Sequence, residues 1–335
     1  VLLAELRSVD LRPAWMGLLY AVVLGVAFKG ASWLHDRAPR LAAAGLLAIG
    51  PRARAARPSY EPGRMLTRKI PRSGEALPVI GLGTWQTFDV GGDANARAPL
   101  AEVLETFLAV GGRVIDSSPM YGTSEEVVGD LLAAVKARHP FVATKIWTRG
   151  KAEGEAQLAD SMRKLRVRTL DLGQVHNLRD RKPHHATLRD RKRAGLVRYV
   201  GITHYTSSAF ADLERLMRTE AVDFVQLPYS AAVRGAEARL LPAAADTGTA
   251  VLVNRPFEEG ALFARVRGKP LPDWAEGLGC TSWSQVFLKF ILAHPAVTCV
   301  IPATAKPRHL EENVEAGTGP LPDRALLRKI AAAVE

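Results

Sequence analysis

From residue 66 to the C-terminus, short apolar runs bounded by turn residues alternate with segments of helical period, and this alternation restricts the fold more than any other property of the chain. The apolar runs fall at 79–83, 113–116, 141–145, 171–176, 199–202, 224–226, 251–254 and 299–301. Amphipathic stretches lie between them, at 99–108, 125–136, 155–165, 208–217 and 283–293. Within 155–165, Leu158, Met162 and Leu165 recur at the spacing that lines one face of a helix. Pro99 suits the first position of the helix it opens, where no backbone N–H is needed. Short strands in this number, most followed by a helix, form the pattern of an α/β chain folded as a closed parallel (β/α)8 TIM barrel. The competing architecture is a doubly wound open sheet, which would carry a glycine-rich phosphate turn after its first strand. Gly81-Leu82-Gly83-Thr84-Trp85-Gln86 lacks the third glycine of that turn, so the barrel is preferred.

The first 64 residues read differently, and the barrel is assigned to 65–335. Residues 14–28 and 41–49 are apolar, Arg37 and Arg40 stand before the second run, and Ala53-Arg54-Ala55 follows it. A basic region, an apolar region and a small-x-small site form the grammar of an export signal, although the longer run is short of the ~20 residues a spanning helix needs. Two readings stand: a targeting segment, with contact to a membrane or export machinery, or an over-extended upstream translation. The location is accordingly cytoplasmic or exported, depending on which reading holds. Residues 51–63, rich in Arg and Pro, are a linker on either reading.

The formal charge is +11, and residues 1–64 alone carry nine Lys/Arg against four Asp/Glu. The remainder is mildly basic, which suits an anionic phosphate ligand. No zinc-knuckle spacing and no aromatic-rich basic motif points to nucleic acid as a partner. The two cysteines, Cys280 and Cys299, cannot build a disulfide framework. His184-His185 sits in a basic stretch with no clustered third ligand, so a surface position is expected and no metal site is assigned. The stretch itself, 179–193, reads as a solvated loop and helix face. Oligomeric state is not legible.

In a barrel of this kind the active site forms at the carboxyl ends of the strands. Polar residues stand at those ends: Asp116, Lys145, His176, Thr203 with His204, Gln226 and Asn254. Taken from Asp116 through Thr203 to Asn254, their successive gaps are 29, 31, 27, 23 and 28 residues, one strand–helix unit per step. One charged residue at a strand end is ordinarily its solvated edge. A carboxylate, an ammonium and an imidazole on consecutive strands are harder to explain that way.

The segment Gly112-Arg113-Val114-Ile115-Asp116-Ser117-Ser118-Pro119-Met120-Tyr121-Gly122 resembles the signature around the catalytic Asp and Tyr of the aldo/keto reductase family. Ala143-Thr144-Lys145-Ile146-Trp147 is similar to its lysine segment, and Asp171-Leu172-Gly173-Gln174-Val175-His176 to its histidine strand. Gly201-Ile202-Thr203-His204-Tyr205, Gln226-Leu227-Pro228-Tyr229-Ser230 and Ile301-Pro302-Ala303-Thr304 follow in the family's order, so that the resemblance spans roughly 66–317. It implies reduction of aldehydes or ketones by a nicotinamide cofactor, NADP(H) being favoured and NAD(H) the alternative. It casts Tyr121 as general acid, Lys145 as its activator, Asp116 as the partner of Lys145, and His176 as the group that orients the carbonyl. A lysine ammonium favours a phenolate and so pulls a tyrosine's pKa down.

For the cofactor, the resemblance implies Thr84 and Trp85 after the first strand, Thr203, His204 and Gln226 around the carboxamide, and Asn254, Arg255 and Phe257 beyond it. Thr304, Lys306, His309, Glu312 and Asn313 would take the adenosine phosphate. His204 replaces the family's Asn, and Asn254 stands where many members stack a tyrosine. The family's cations at the positions of Ala303 and His309 are missing, leaving Lys306 to favour a 2′-phosphate. Trp85 and Trp147 would line the substrate mouth. Two rivals remain. Lys145 could form a Schiff base in a barrel aldolase, or the barrel could bind nucleotide as a sensor or regulatory subunit with little turnover.

Overall fold

The computed structural model describes residues 65–135 and 140–335. The readings made for 1–64 therefore lie outside the described residues. Among the described residues no helix is long and apolar enough to cross a membrane.

The described residues open with a hairpin that the apolar pattern did not reveal, β1 (Thr67–Lys69) paired antiparallel with β2 (Ala76–Pro78). Eight strands then run parallel in sequence order: β3 (Leu82–Gly83), β4 (Val114–Asp116), β5 (Phe141–Ile146), β6 (Leu170–Val175), β7 (Val197–Thr203), β8 (Phe224–Pro228), β9 (Ala250–Asn254) and β10 (Val297–Val300). The seam between first and last closes through parallel bridges Ile80–Val300 and Gly83–Ala303. Across it, Gly81 donates its N–H to the Val300 carbonyl (2.8 Å) and Gly83 to that of Pro302 (3.0 Å). This closure explains the incomplete glycine motif. A Cβ on Gly83 would stand 2.8 Å from the Ile301 carbonyl oxygen, so the glycines let the first strand lie against the last.

Helices fill the gaps between strands: α1 (Ala94–Ala109), α2 (Ser124–Ala134), α3 (Lys151–Lys164), α4 (Arg181–Arg193), α5 (Phe210–Thr219), α6 (Leu240–Thr247), α7 (Ala261–Arg265), α8 (Trp283–Leu292), α9 (Pro307–Glu315) and α10 (Arg324–Ala333). Two expectations need correcting here. Helix α1 starts before Pro99, because Asp93 caps it by accepting from the N–H of Asn95 (2.9 Å) and of Ala96 (3.4 Å), and Pro99 lies inside. His184 and His185 are buried, not on the surface. The basic residues of α4 occupy its outer side, while His184 meets the Thr148 carbonyl (2.9 Å) and His185 pairs with Glu220.

Alternation along each strand sorts residues into two layers. Ile115, Val142, Ile146, Val200, Ile202, Val225 and Val253 face outward and pack with the helices. Val114, Phe141, Leu172, Tyr199, Phe224, Leu252 and Cys299 face inward, with Ile70 and Leu77 from the hairpin end of the barrel buried among them. The inward positions that follow toward the carboxyl ends are the polar ones. The sequence Val114, Asp116 and the sequences Phe141, Ala143, Lys145 and Leu172, Gln174, His176 each step by two, from an apolar floor to a polar mouth.

Candidate active site

Asp116 ends β4 and is 2% exposed, while Lys145, one strand over, is fully buried. The Lys145 ammonium donates to Asp116 Oδ2 at 2.6 Å and to the Ser117 carbonyl at 2.7 Å. The other carboxylate oxygen, Oδ1, accepts from Gln174 Nε2 (3.1 Å) and Gln226 Nε2 (3.0 Å). Three donors therefore hold one carboxylate, and only one of them carries charge. Gln174 was not singled out from the sequence; its place two residues before His176, on the same inward row, was the signal available.

The Lys145 Nζ lies 5.0 Å from the centroid of the Tyr121 ring. Burial pulls the Lys145 pKa down, but the charge of Asp116, with Tyr121 also beside it, overcomes this and holds it above the ordinary lysine value. For Tyr121 burial is the larger influence and raises its pKa, Lys145 acts to lower it, and the net direction is upward. The attraction expected from the sequence is present, but desolvation of the half-buried phenol outweighs it. The resting site thus holds a neutral phenol beside an ammonium.

His176 continues the inward row of β6, at the start of a 3-10 turn over His176–Leu178. Its ring sits edge-on to Tyr121, with centroids 5.9 Å apart, and faces Trp147 at 6.4 Å. Burial, with Lys145 and His204 nearby, lowers its pKa to about 2, so the imidazole is neutral. Its Nδ1 is in hydrogen-bond contact with Ser118 Oγ at 3.0 Å, a partner not foreseen from the sequence.

The residues assigned to the carboxamide also meet. Thr203 Oγ1 donates to Gln226 Oε1 (3.2 Å), and Asn254 Nδ2 donates to the His204 carbonyl (3.2 Å). Gln226 joins this group to Asp116 and so belongs to both networks. The His204 Nδ1 accepts from the Thr206 N–H at 3.2 Å, which places its proton on Nε2, and the ring stacks on Tyr205. Thr84 is fully buried and donates to the Asp116 carbonyl (3.0 Å), bracing the strand that carries the carboxylate, whereas Trp85 is exposed. Arg255 pairs with Glu259 (3.2 Å) and Glu258 (3.7 Å).

A cavity of about 360 Å³ lies at the start of α9, bounded by Phe257, Phe263 and Trp283 on its apolar side and by Thr304, His309, Glu312 and Asn313 among its polar residues. Phe263 and Trp283, with Ser282 and Ser284 beside them, were not named from the sequence. Lys306 is exposed at the N-cap of α9 and is not part of the wall. Arg308 is exposed and pairs with the wall residue Glu312 at 3.1 Å. Aromatic faces next to hydroxyl, imidazole and amide groups fit a nucleoside. Asn254 Oδ1 and Glu258 Oε1 are buried without hydrogen-bond partners. The unpartnered polar atoms and the lining of the cavity are the kinds of group that fit a dinucleotide.

Comparison with known proteins agrees with this geometry. The sequence profile of the aldo/keto reductase family matches residues 79–328. The aldo-keto reductase str7 of Strobilurus tenacellus is 26% identical over 310 residues, spanning 79% of this chain and 91% of that relative. The pyridoxine 4-dehydrogenase of Escherichia coli is 26% identical over 71% of this chain and 88% of its own length. An aldo-keto reductase of Klebsiella pneumoniae, solved in complex with NADPH, superposes with a TM-score of 0.68 at 24% identity, covering 81% of this chain and 95% of that one. With its motifs in order, its eight-stranded barrel and this match over most of its length, the chain belongs to the aldo/keto reductase family.

Proposed function

We propose that the protein reduces the carbonyl group of small aldehydes or ketones to an alcohol with NADPH, Tyr121 supplying the proton. One observation carries the reading: a neutral phenol lies against a buried ammonium that Asp116 holds at 2.6 Å, with a neutral imidazole 5.9 Å from the phenol ring. The Klebsiella pneumoniae relative solved with NADPH supports the choice of cofactor.

Thr203, His204, Gln226 and Asn254 would hold the nicotinamide end, Arg255 and Phe257 the middle, and the cavity lined by Thr304, His309, Glu312 and Asn313 the adenosine end. Lys306 is the exposed cation beside that cavity. The bound cofactor supplies a hydride to the carbonyl carbon. The protein's share begins with binding the carbonyl oxygen between the Tyr121 hydroxyl and an N–H of His176. As charge builds on that oxygen, the Tyr121 proton passes to it, and the phenolate left behind is stabilised by the Lys145 ammonium. Asp116 keeps Lys145 charged and in place, and solvent later reprotonates Tyr121. General acid catalysis of this kind is worth roughly 10²–10⁴ in rate.

The Schiff-base reading fails on the same geometry, because a nucleophilic amine must be neutral and Asp116 holds Lys145 protonated. The test is NADPH oxidation by the full-length protein against a panel of small aldehydes, dicarbonyls, sugars and ketones. Steady turnover of at least one class is expected; tight NADPH binding with no turnover of any would favour a sensor or regulatory subunit instead.

A further inference from the structure

Resting on the reductase reading, we infer that the Trp147–Arg179 pair at the mouth is a carboxylate-recognition site, which makes carbonyl compounds bearing a carboxylate the preferred substrates. Tyr121, His176, Trp147 and Arg179 stand in a row. The Tyr121 and His176 rings are 5.9 Å apart, those of His176 and Trp147 6.4 Å, and the Arg179 guanidinium lies 4.8 Å from the Trp147 ring centroid. The guanidinium thus stands two contacts away from the imidazole that faces the reacting carbonyl.

Arg179 has no carboxylate partner among the described residues, and its Nε is buried without an acceptor. This differs from the pattern elsewhere on the mouth, where Arg255 is neutralised by Glu258 and Glu259. Its neighbour Asp180 does not serve it either, since the Asp180 carboxylate accepts from the Gly150 N–H at 2.7 Å. A half-buried, uncompensated guanidinium is a costly arrangement unless a ligand's anion meets it. A planar guanidinium laid on an indole face keeps its N–H edges free, and that fork matches the two oxygens of a carboxylate. Asn177, two residues earlier in the same turn, also has its side-chain oxygen buried and unpartnered.

The platform is fixed in advance. Gln157 accepts from the Trp147 N–H at 2.6 Å and donates to the Trp147 carbonyl at 3.4 Å. The Asp180–Gly150 bond and the contact of His184 Nε2 with the Thr148 carbonyl (2.9 Å) tie the two loops together. Asn177, Leu178 and Asp180 all have positive φ, at 51°, 54° and 41°, so the turn that presents Arg179 is held in a conformation its residues do not prefer.

The test uses the full-length protein with NADPH and two probes, 4-carboxybenzaldehyde and its methyl ester, which differ in charge and by one methyl group. The parent should favour the acid in kcat/KM by about 10- to 100-fold, the value of hydrogen bonds to a charged group. Arg179→Met should lose that preference, falling at least about tenfold on the acid and changing the ester far less, while Arg179→Lys should recover part of it. Equal use of acid and ester by the parent, or equal losses on both in Arg179→Met, would overturn the site while leaving the reductase reading intact. If neither probe is turned over, the reductase reading is decided by the wider carbonyl panel and the anion site by calorimetry. Benzoate titrated onto the protein with saturating NADP+ should bind the parent and not Arg179→Met; binding to neither, or to both alike, overturns it.

Discussion

Replacing Asp116 by Asn removes one charge from the centre of the barrel with almost no change in volume. Lys145 is fully exposed to the consequence, since it is buried and Asp116 is its only carboxylate partner among the described residues. The carboxylate also accepts from Gln174 and Gln226 on the oxygen that Lys145 does not use. An amide has one acceptor oxygen, so either the ammonium or the two glutamine amides must face an NH2 group. Breaking a buried ion pair from one side costs about 3–5 kcal/mol, against a total stability of roughly 5–15 kcal/mol. The pH dependence carries a sign. In the parent, Lys145 has a raised pKa, so its contribution is complete below the unfolded lysine value and is lost only as pH rises through the folded one. Without Asp116 burial dominates and the folded pKa falls below the unfolded value, so the variant gains stability as pH rises toward the unfolded lysine value near ~10.4. Denaturant unfolding of parent and variant at pH 7 and at pH 9.5 should show a gap of several kcal/mol that narrows at the higher pH. A loss below about 1 kcal/mol at pH 7, or one independent of pH, would refute the view of Asp116 as the counterion of a buried charge.

Three further outcomes follow from the site. Ser118→Ala should lower kcat/KM roughly fivefold with little change in cofactor affinity, because the hydrogen bond that fixes the His176 ring is worth about 1 kcal/mol; steady-state kinetics beside NADPH titration reads both. With the His176 pKa near 2, kcat/KM should show no histidine limb between pH 5 and 8 from this residue, and a limb near 6.5 that vanishes in His176→Gln would contradict the neutral imidazole. Lys306→Ala should weaken NADPH binding by about 10- to 100-fold, as expected for a lost contact to a 2′-phosphate, while NADH binding hardly changes; equal losses on both cofactors would show that Lys306 plays no such part.

The barrel was legible because a parallel sheet buried on both faces writes near-continuous apolar runs, and the strand ends were legible because polar residues interrupt those runs. Asp116, Lys145 and His176 could be placed at one mouth by spacing alone. Other features left no such mark. The β1–β2 hairpin is too short to show a period, yet Ile70 and Leu77 are fully buried by it. The helical contacts of His184 and His185 depend on Thr148 and Glu220, which lie far away in sequence. Ser118 and Gln174 matter only because folding puts one beside His176 and the other beside Asp116. The net direction of the Tyr121 shift depends on burial, which spacing does not report. Arg179 was read as part of a solvated basic stretch, and only its position over Trp147 distinguishes it from the exposed arginines of α4.

The central claim is that Tyr121 delivers the proton under the charge of Lys145, and a double-mutant cycle measures it most directly. Tyr121→Phe, Lys145→Met and the double variant are assayed for kcat/KM with NADPH and one accepted aldehyde, and for NADPH affinity by titration. Each single variant should lose about 10²–10⁴ in kcat/KM while binding NADPH nearly as tightly as the parent. The double variant should lose little more than either single one, since the two side chains act as a unit. Tyr121→Phe retaining activity within a few fold of the parent, or losses in the double variant that simply multiply, would contradict the account.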